Sequence, residues 1–338
     1  MKLAIAVPYT DVPFPELVEW VQAADRLGYE AVFVPEAYSY DSVSIMTALA
    51  LKTERIKIGA GILNVFSRSA ALIAQSASAI DMLSNGRFIL GLGTSGPQVI
   101  SGYHGVPFEK PLQRTREYVE VIRMALKRER LVYDGETVKL TMGLKLINHP
   151  VRDTIPIIIA SLGPKNLEMT GEIADGWMPT LFSPQHVDVF QPHLEAGLAK
   201  SGRKWGDLEV TPMVPVVVYD DVEVGRSMVK PYIALYVGGM GSRERNFYNQ
   251  LVQRYGYVEE AKKIQDLYLG GDKAAAAALV PDELADETSL LGTPERIHEG
   301  LRKLEAAGVT MPILAINAFN TEDRIKALEA LAPVAAAT

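Results

Sequence analysis

Phe88–Leu92, FILGL, followed at once by Gly93-Thr94-Ser95-Gly96, constrains the fold of this chain more than any other segment. A short apolar run without polar alternation is what a strand buried on both faces requires, and such strands belong to parallel sheets. Glycines at 91, 93 and 96 then let the backbone turn sharply and come close to a neighbour, which at this place is expected to be a ligand. Read as a pattern, Gly91-x-Gly93-x-x-Gly96 is the dinucleotide fingerprint, but that motif needs a helix opening on its last glycine. Pro97 heads a long loop instead, which argues against a dinucleotide-binding fold.

The same kind of strand recurs along the chain. Apolar runs at Leu3–Pro8, Ala31–Pro35, Ile56–Leu63, Phe88–Leu92, Ile155–Ala160, Trp177–Leu181, Val210–Val218 and Ile313–Ile316 read as strands. Between and after them, helical spacing predicts helices over Pro13–Leu27, Ser42–Lys52, Ala70–Leu83, Arg114–Lys127, Pro164–Ala174, Gln185–Lys200, Thr293–Ala307 and Thr321–Leu331. Arg130–Leu140 reads as a hairpin turning at Asp134-Gly135. Alternating strands and helices without a linker or a repeat favour an α/β fold of the (β/α)8 TIM-barrel type, one domain over residues 1–338, above an open doubly wound sheet. The largest insertion falls between strands seven and eight, about residues 222–286, where Gly238-Gly239, the charged run Arg243-Glu244-Arg245 and the alanine tract 274–278 exceed one barrel helix. It reads as inserted helices, either an outer packing excursion or a lid over the barrel mouth.

Composition narrows the function. Lys and Arg total 34 against 41 Asp and Glu, a net charge of −7, and no long basic run occurs, so a nucleic-acid or anionic-membrane surface has little support. Small-molecule chemistry is expected instead. With 0 cysteines there is no disulfide, thiolate metal site or cysteine nucleophile, which suits a reducing compartment such as the cytoplasm. No apolar run reaches the length of a membrane span, and MKLAIAVPYT reads as a first strand rather than a signal peptide. The 5 histidines include no i,i+4 pair around a carboxylate, so no metal site is expected. Neither a Gly-x-Ser-x-Gly elbow nor a Walker lysine loop occurs. The outward residues of the second and third helices, Ile45, Met46, Leu49, Leu72, Ile73, Ala77 and Ile80, exceed one apolar stripe and predict a homodimer.

In a barrel the site lies at the C-terminal ends of the strands. Here those ends are Pro8-Tyr9-Thr10, Pro35-Glu36-Ala37-Tyr38, Gly61-Ile62-Leu63-Asn64, Gly93-Thr94-Ser95-Gly96, Ala160-Ser161-Leu162-Gly163 and Pro179-Thr180. Small residues dominate, with a single carboxylate, Glu36. Small side chains let backbone groups touch a flat, polar-edged heterocycle, which suits a cofactor better than a hydrolytic site. Pro164-Lys165-Asn166 opens a helix whose free amides make Ser161–Gly163 a candidate phosphate seat, although an ordinary strand-to-helix turn accounts for the same residues. Arg114 and Arg116 are candidates for an anionic substrate or, beside Glu117 and Glu120, for an ion-paired helix start.

Three segments, ILNVFSRSAALIAQSASAIDMLSNGRFILGLGTSG (Ile62–Gly96), YHGVPFEKPLQRTREYVEVIR (Tyr103–Arg123) and IIIASLGPKNLEMTGEIADGWMPTLFSP (Ile157–Pro184), resemble the bacterial luciferase-like superfamily. Within it the chain looks like the coenzyme F420-dependent oxidoreductase branch. The resemblance implies a deazaflavin across the barrel mouth and hydride transfer between it and a small organic substrate. It implies a non-prolyl cis peptide at Gly61-Ile62 behind the ring, with Asn64 on the same strand end. By the same resemblance Asn64, Gly93, Thr94, Ser95 and Ala160 lie at the cofactor, and the amides of Ser161, Leu162 and Gly163 hold its phosphate. Glu36 stands where relatives carry an acidic residue near the ring, as proton relay or as a partner of the ring edge; the histidine that often follows it is Ala37 here. The alternatives are an FMN-dependent monooxygenase of the same superfamily and a barrel that binds a cofactor or ligand without catalysis.

Overall fold

The computed structural model describes residues 1–8, 12–241, 243–244 and 246–332, so the strand-one end residues Tyr9 and Thr10, and Arg245 of the insertion, lie outside the described residues. Parallel strands β1 (Ala4–Ala6), β2 (Ala31–Val34), β3 (Lys57–Ala60), β4 (Phe88–Gly93), β5 (Ile157–Ile159), β6 (Gly176–Trp177), β7 (Met213–Val218) and β8 (Ile313–Ile316) make a curled sheet. Each of β1 to β5 pairs with the next, and β1 pairs with β8. The ring closes through segment 209–218. Its first piece, Glu209–Val210, pairs with β6, and bonds from Thr211 N–H to Trp177 O (2.8 Å) and from Met213 N–H to Pro179 O (2.9 Å) extend that contact. Pro212, which has no N–H to give, interrupts the strand, and its carbonyl accepts from Ile313 (2.8 Å) on the other side. From there β7 pairs with β8. Strand order follows chain order, as the barrel reading expects.

The period-two pattern of the strands sorts side chains between two cores. Ala4, Ala6, Ala31, Phe33, Ile89, Ile158, Met178 and Ile313 fill the barrel interior. Leu3, Ile5, Val32, Val34, Leu90, Ile157 and Trp177 point outward to the helices. The small residues are there for Phe33: a β-carbon on Gly59 would lie 2.5 Å from its ring. Around the sheet run α1 (Phe14–Arg26), α2 (Ser42–Lys52), α3 (Ala70–Leu83), α4 (Pro111–Leu126), α5 (Pro164–Ile173) and α6 (Gln191–Lys200). Side-chain caps start several of them, Asp41 on Ser44 N–H (2.8 Å) at α2 and Ser69 on Leu72 N–H (3.2 Å) at α3.

Four departures from the sequence reading have physical causes. The loop after Pro97 contains one π-helical turn, Gln98–Tyr103, so a helical turn does follow Gly96, although the closed ring still rules out the dinucleotide fold. The hairpin Tyr133–Asp134/Lys139–Leu140 turns at Glu136-Thr137, two residues later than expected. Its turn is held by the buried Glu117 carboxylate, which accepts the N–H groups of Glu136 (2.6 Å), Thr137 (2.8 Å) and Val138 (2.8 Å). Burial alone would raise the Glu117 pKa, but bonds from Thr137, Gln113 and the turn backbone outweigh it and hold the group down at about 2. The third departure is an extra strand, Leu290–Gly292, on the edge of β7. Finally, the apolar excess on α2 and α3 is internal: Met46, Leu49 and Ile73 are 0% exposed, and of the set predicted to face outward only Leu72 is open. Each of these helices touches the sheet and both flanking helices, so one stripe is too few.

The insertion is helical: α7 (Val222–Ala234), a π turn Leu235–Gly239, α8 (Phe247–Arg254), α9 (Val258–Leu269), α10 (Lys273–Ala278) and α11 (Asp282–Thr288). After it come α12 (Pro294–Ala306), capped by Thr293 as its sequence predicts, and α13 (Thr321–Leu331). Among the described residues, no helix is long and apolar enough to cross a membrane.

Candidate functional site

The mouth of the barrel is built from backbone and small side chains. At the end of β3 the peptide joining Gly61 to Ile62 is cis, as expected, and the chain resumes pairing at Leu63–Asn64, opposite Leu92 and Gly93 of β4. The glycines of β4 face this bulge. A β-carbon on Gly91 would lie 1.9 Å from the Ala60 carbonyl oxygen, and one on Gly93 would lie 3.0 Å from Ile62 Cδ1. The close neighbour of Gly91, expected from sequence to be a ligand, is therefore the protein's own strand. Asn64 is buried, and its Oδ1 accepts the N–H groups of Phe66 (3.0 Å) and Ser67 (2.7 Å), so its side chain shapes the turn after the bulge. Ser95 takes a left-handed conformation (φ 55°) and its carbonyl accepts the Thr94 hydroxyl (3.2 Å). Ala160 borders the barrel interior beside Ile62 and Met213.

Ser161, Leu162 and Gly163 run from β5 into α5. The Ser161 hydroxyl is turned away from the mouth onto Thr170 (2.8 Å), and its carbonyl accepts the Trp177 indole N–H (2.9 Å). Leu162 O accepts from Arg254 of α8 (3.2 Å). Gly163 is the N-cap of α5 with no side chain to satisfy the first-turn amides, and the nearest atoms to a β-carbon there are in the Phe247 ring at 3.9 Å. In the same turn Asn166 Oδ1 is shielded from solvent without a partner. Free amides and an open cap fit an anionic group.

Glu36 is committed to other protein groups. Its carboxylate takes a two-pronged grip from Arg68 (2.6 and 2.9 Å) and also accepts the Ser42 hydroxyl (3.1 Å) and N–H (3.3 Å). The two side chains are 8% and 15% exposed. Arg68 also bonds Asp41, and the bond to Glu36 holds its guanidinium pKa above the ordinary value. Nothing in the spacing of Glu36 and Arg68 announces this pair, and sequence reasoning missed Arg68. Arg116 forms an ion pair with Glu172 of α5 (2.7 and 3.1 Å) and so joins two helices, whereas Arg114 lies over the ring of Phe66 (4.9 Å) in the turn after the bulge, its buried Nε without a partner.

The insertion reaches this mouth. Thr180, at the end of strand six, has the parity of the inward Met178 and bridges Met213. Its hydroxyl bonds that of Tyr232 on α7 (3.0 Å), and Tyr232, Tyr236 and Tyr248 pack in succession, the first pair tilted (4.6 Å) and the second edge to face (4.7 Å). These contacts bring α7 of the insertion to the end of strand six. Across the mouth Tyr38 and Tyr103 approach each other (6.3 Å). Among the described residues no group of three or more His, Asp or Glu is placed to hold a metal ion.

Comparison with known proteins agrees with this architecture. The chain is 37% identical over 328 residues to a putative coenzyme F420-dependent oxidoreductase of Mycobacterium tuberculosis, covering 93% of this chain and 94% of that one. It is 32% identical over 309 residues to a 5,10-methylenetetrahydromethanopterin reductase of Archaeoglobus fulgidus, covering 90% of each. The solved structure of a coenzyme F420-dependent tetrahydromethanopterin reductase from Methanopyrus kandleri superposes with a TM-score of 0.83 over 97% of both chains at 24% identity. The luciferase-like monooxygenase family model matches residues 2–311, and the chain belongs to that family.

Proposed function

We propose that this protein is an oxidoreductase that transfers a hydride between coenzyme F420, seated at the barrel mouth, and a small organic substrate. The observation that carries the reading is the continuity of a small-residue floor (Gly61, Ile62, Gly93, Ala160) with an open, anion-ready helix terminus at Gly163. A flat ring fits the first and a phosphate the second. The Mycobacterium tuberculosis relative, which is named for coenzyme F420, supports the same cofactor. When bound, the deazaflavin supplies a hydride-carrying ring carbon and lacks the nitrogen through which flavins react with oxygen. Ile62 backs the ring, Thr94 and Ser95 border it, and the amides at the start of α5 hold the phosphate, with Asn64 keeping the bulge in shape. Glu36 positions Arg68 rather than relaying a proton, because its oxygens already accept from Arg68 and Ser42. Quenching titrations with F420 and with FMN test the reading. F420 is expected to bind at least tenfold more tightly, and a preference for FMN would make the protein a flavin enzyme of the same family.

We also infer a homodimer, through a different surface from the one that helices two and three suggest. Met142, Leu144 and Ile147 are 80%, 72% and 94% exposed, and Met82 on α3 is 57% exposed. Asn148 bonds Ser78 (2.9 Å) and Arg152 pairs with Asp81, which fastens this segment onto α3 and groups the apolar residues. Light scattering at micromolar concentration should give twice the 37.0 kDa chain mass. The double substitution Leu144→Glu and Ile147→Glu should halve that value; a monomeric parent ends the idea.

A further inference from the structure

The polar groups at the mouth are mostly turned to tasks of their own. Glu36 is held by Arg68 and Ser42, Asn64 faces its own turn, Ser161 is turned onto Thr170, and Asn317 at the end of β8 donates to Ala315 O (3.1 Å). The pair Thr180–Tyr232 differs from these. Thr180 has the inward parity of strand six, and Tyr232 is brought to it by the inserted α7, 52 residues away. The Tyr232 hydroxyl is bonded by both Thr180 and Tyr236, and with these two as donors its own proton stays free for a third group, which a carboxylate saturated by guanidinium cannot offer. Met213, bridged to Thr180, reaches across to within 3.8 Å of a β-carbon on Gly61, so this hydroxyl pair borders the same space as the proposed ring floor.

We propose that Tyr232 is a catalytic residue that binds the oxygen of a carbonyl or alcohol substrate and exchanges its proton during hydride transfer, with Thr180 and Tyr236 as positioning residues. The inference rests on the F420 reading above. In the reducing direction, hydride arrives at the carbonyl carbon and forms a C–H bond, and the C=O π pair moves to oxygen. The Tyr232 O–H bond breaks and a new O–H bond forms on the substrate. The carbonyl carbon gains the two electrons that the reduced deazaflavin loses. The Tyr232 phenolate would regain a proton from solvent by way of Tyr236, and a bound reduced deazaflavin would supply the hydride and leave its remaining proton to solvent, so that protons and electrons balance. Burial raises the Tyr232 pKa, while bonds from Thr180 and Tyr236 oppose that rise, so the phenol keeps its proton until the substrate oxygen takes it. The insertion would thus be part of the reaction machinery as well as a cover.

The test uses the F420-loaded protein. A panel of cyclohexanone, acetone and benzaldehyde is offered with reduced F420, and binding of cyclohexanone to the oxidised, non-reacting holoprotein is measured by calorimetry. Tyr232→Phe should keep the parent's F420 affinity and melting temperature. It should lose roughly a hundredfold in kcat on the substrate that the parent reduces best, in the range of general acid catalysis. Its cyclohexanone affinity should fall about tenfold, the value of one hydrogen bond. Thr180→Val should give an intermediate fall in kcat. A Tyr232→Phe protein with parental kcat and parental cyclohexanone affinity overturns the assignment. So does one that loses F420 affinity together with activity, because the tyrosine is then structural. A parent that binds F420 but reduces no member of the panel defeats the carbonyl inference alone, whereas a parent that does not bind F420 defeats the function on which it rests.

Discussion

Aspartate in place of Gly163 should abolish F420 binding and leave the protein as stable as its parent, or slightly more so. Gly163 sits at the N-cap of α5 with φ −79° and ψ 148°, an extended conformation that aspartate adopts readily. The space is open, with Phe247 at 3.9 Å as the nearest neighbour of a β-carbon. Aspartate is among the best N-cap residues, since its carboxylate accepts the first-turn amides that glycine leaves free. Those are the amides a cofactor phosphate needs, and the new negative charge repels the phosphate as well. Two lost charge-assisted hydrogen bonds are worth about 3 kcal/mol or more, over a hundredfold in affinity. Gly163→Ala separates the two effects, because it adds a methyl group without occupying the amides and should weaken binding only a few-fold. Fluorescence titration and a thermal melt on the same samples decide the matter. An aspartate variant that binds F420 like the parent would remove the phosphate from this helix terminus.

How much of this was legible in the sequence depends on how local each feature is. Helices α2, α3 and α13 and strand β8 run between the same residues in the sequence reading and in the structure, because the caps Asp41, Ser69 and Asn320 and the apolar spacing lie within or next to them. The fold and the cis bulge at Gly61-Ile62 were legible too, the bulge through resemblance rather than any local rule. Leu290–Gly292 was not, since three residues carry no period and only the edge of β7 makes them a strand. Partners set by tertiary contact were invisible. Arg68 meets Glu36 across 32 residues and Tyr232 meets Thr180 across 52, and neither spacing follows from a helix or a strand. The site was thus half readable: its backbone floor follows from glycines and small residues, whereas its hydroxyl and guanidinium groups depend on how loops and the insertion come back to the mouth.

The glycines that first pointed to this site should differ sharply in what they tolerate, and Gly91→Ala should be the most damaging single methyl group in the barrel floor. Its β-carbon would stand 1.9 Å from the carbonyl oxygen of Ala60 and 3.0 Å from the carbonyl carbon. Overpacking against side chains costs about 1–3 kcal/mol because they move aside. Here the obstacle is backbone of the adjacent strand, so β3 and β4 must separate where they are paired, and the cost should exceed that range. Gly93→Ala meets flexible Ile62 atoms at 3.0 and 3.1 Å and Ala160 at 3.4 Å, so it should fold but shift Ile62 and weaken F420 binding. Gly96→Ala finds only Gln98 Oε1 at 3.6 Å and should leave both properties near parental values. Soluble yield, thermal melts and F420 titration of the three variants supply the check. Equal behaviour of all three would mean that the strand pair can yield at Gly91, and that close packing of β4 on the β3 bulge does not define the floor on which the cofactor ring is proposed to rest.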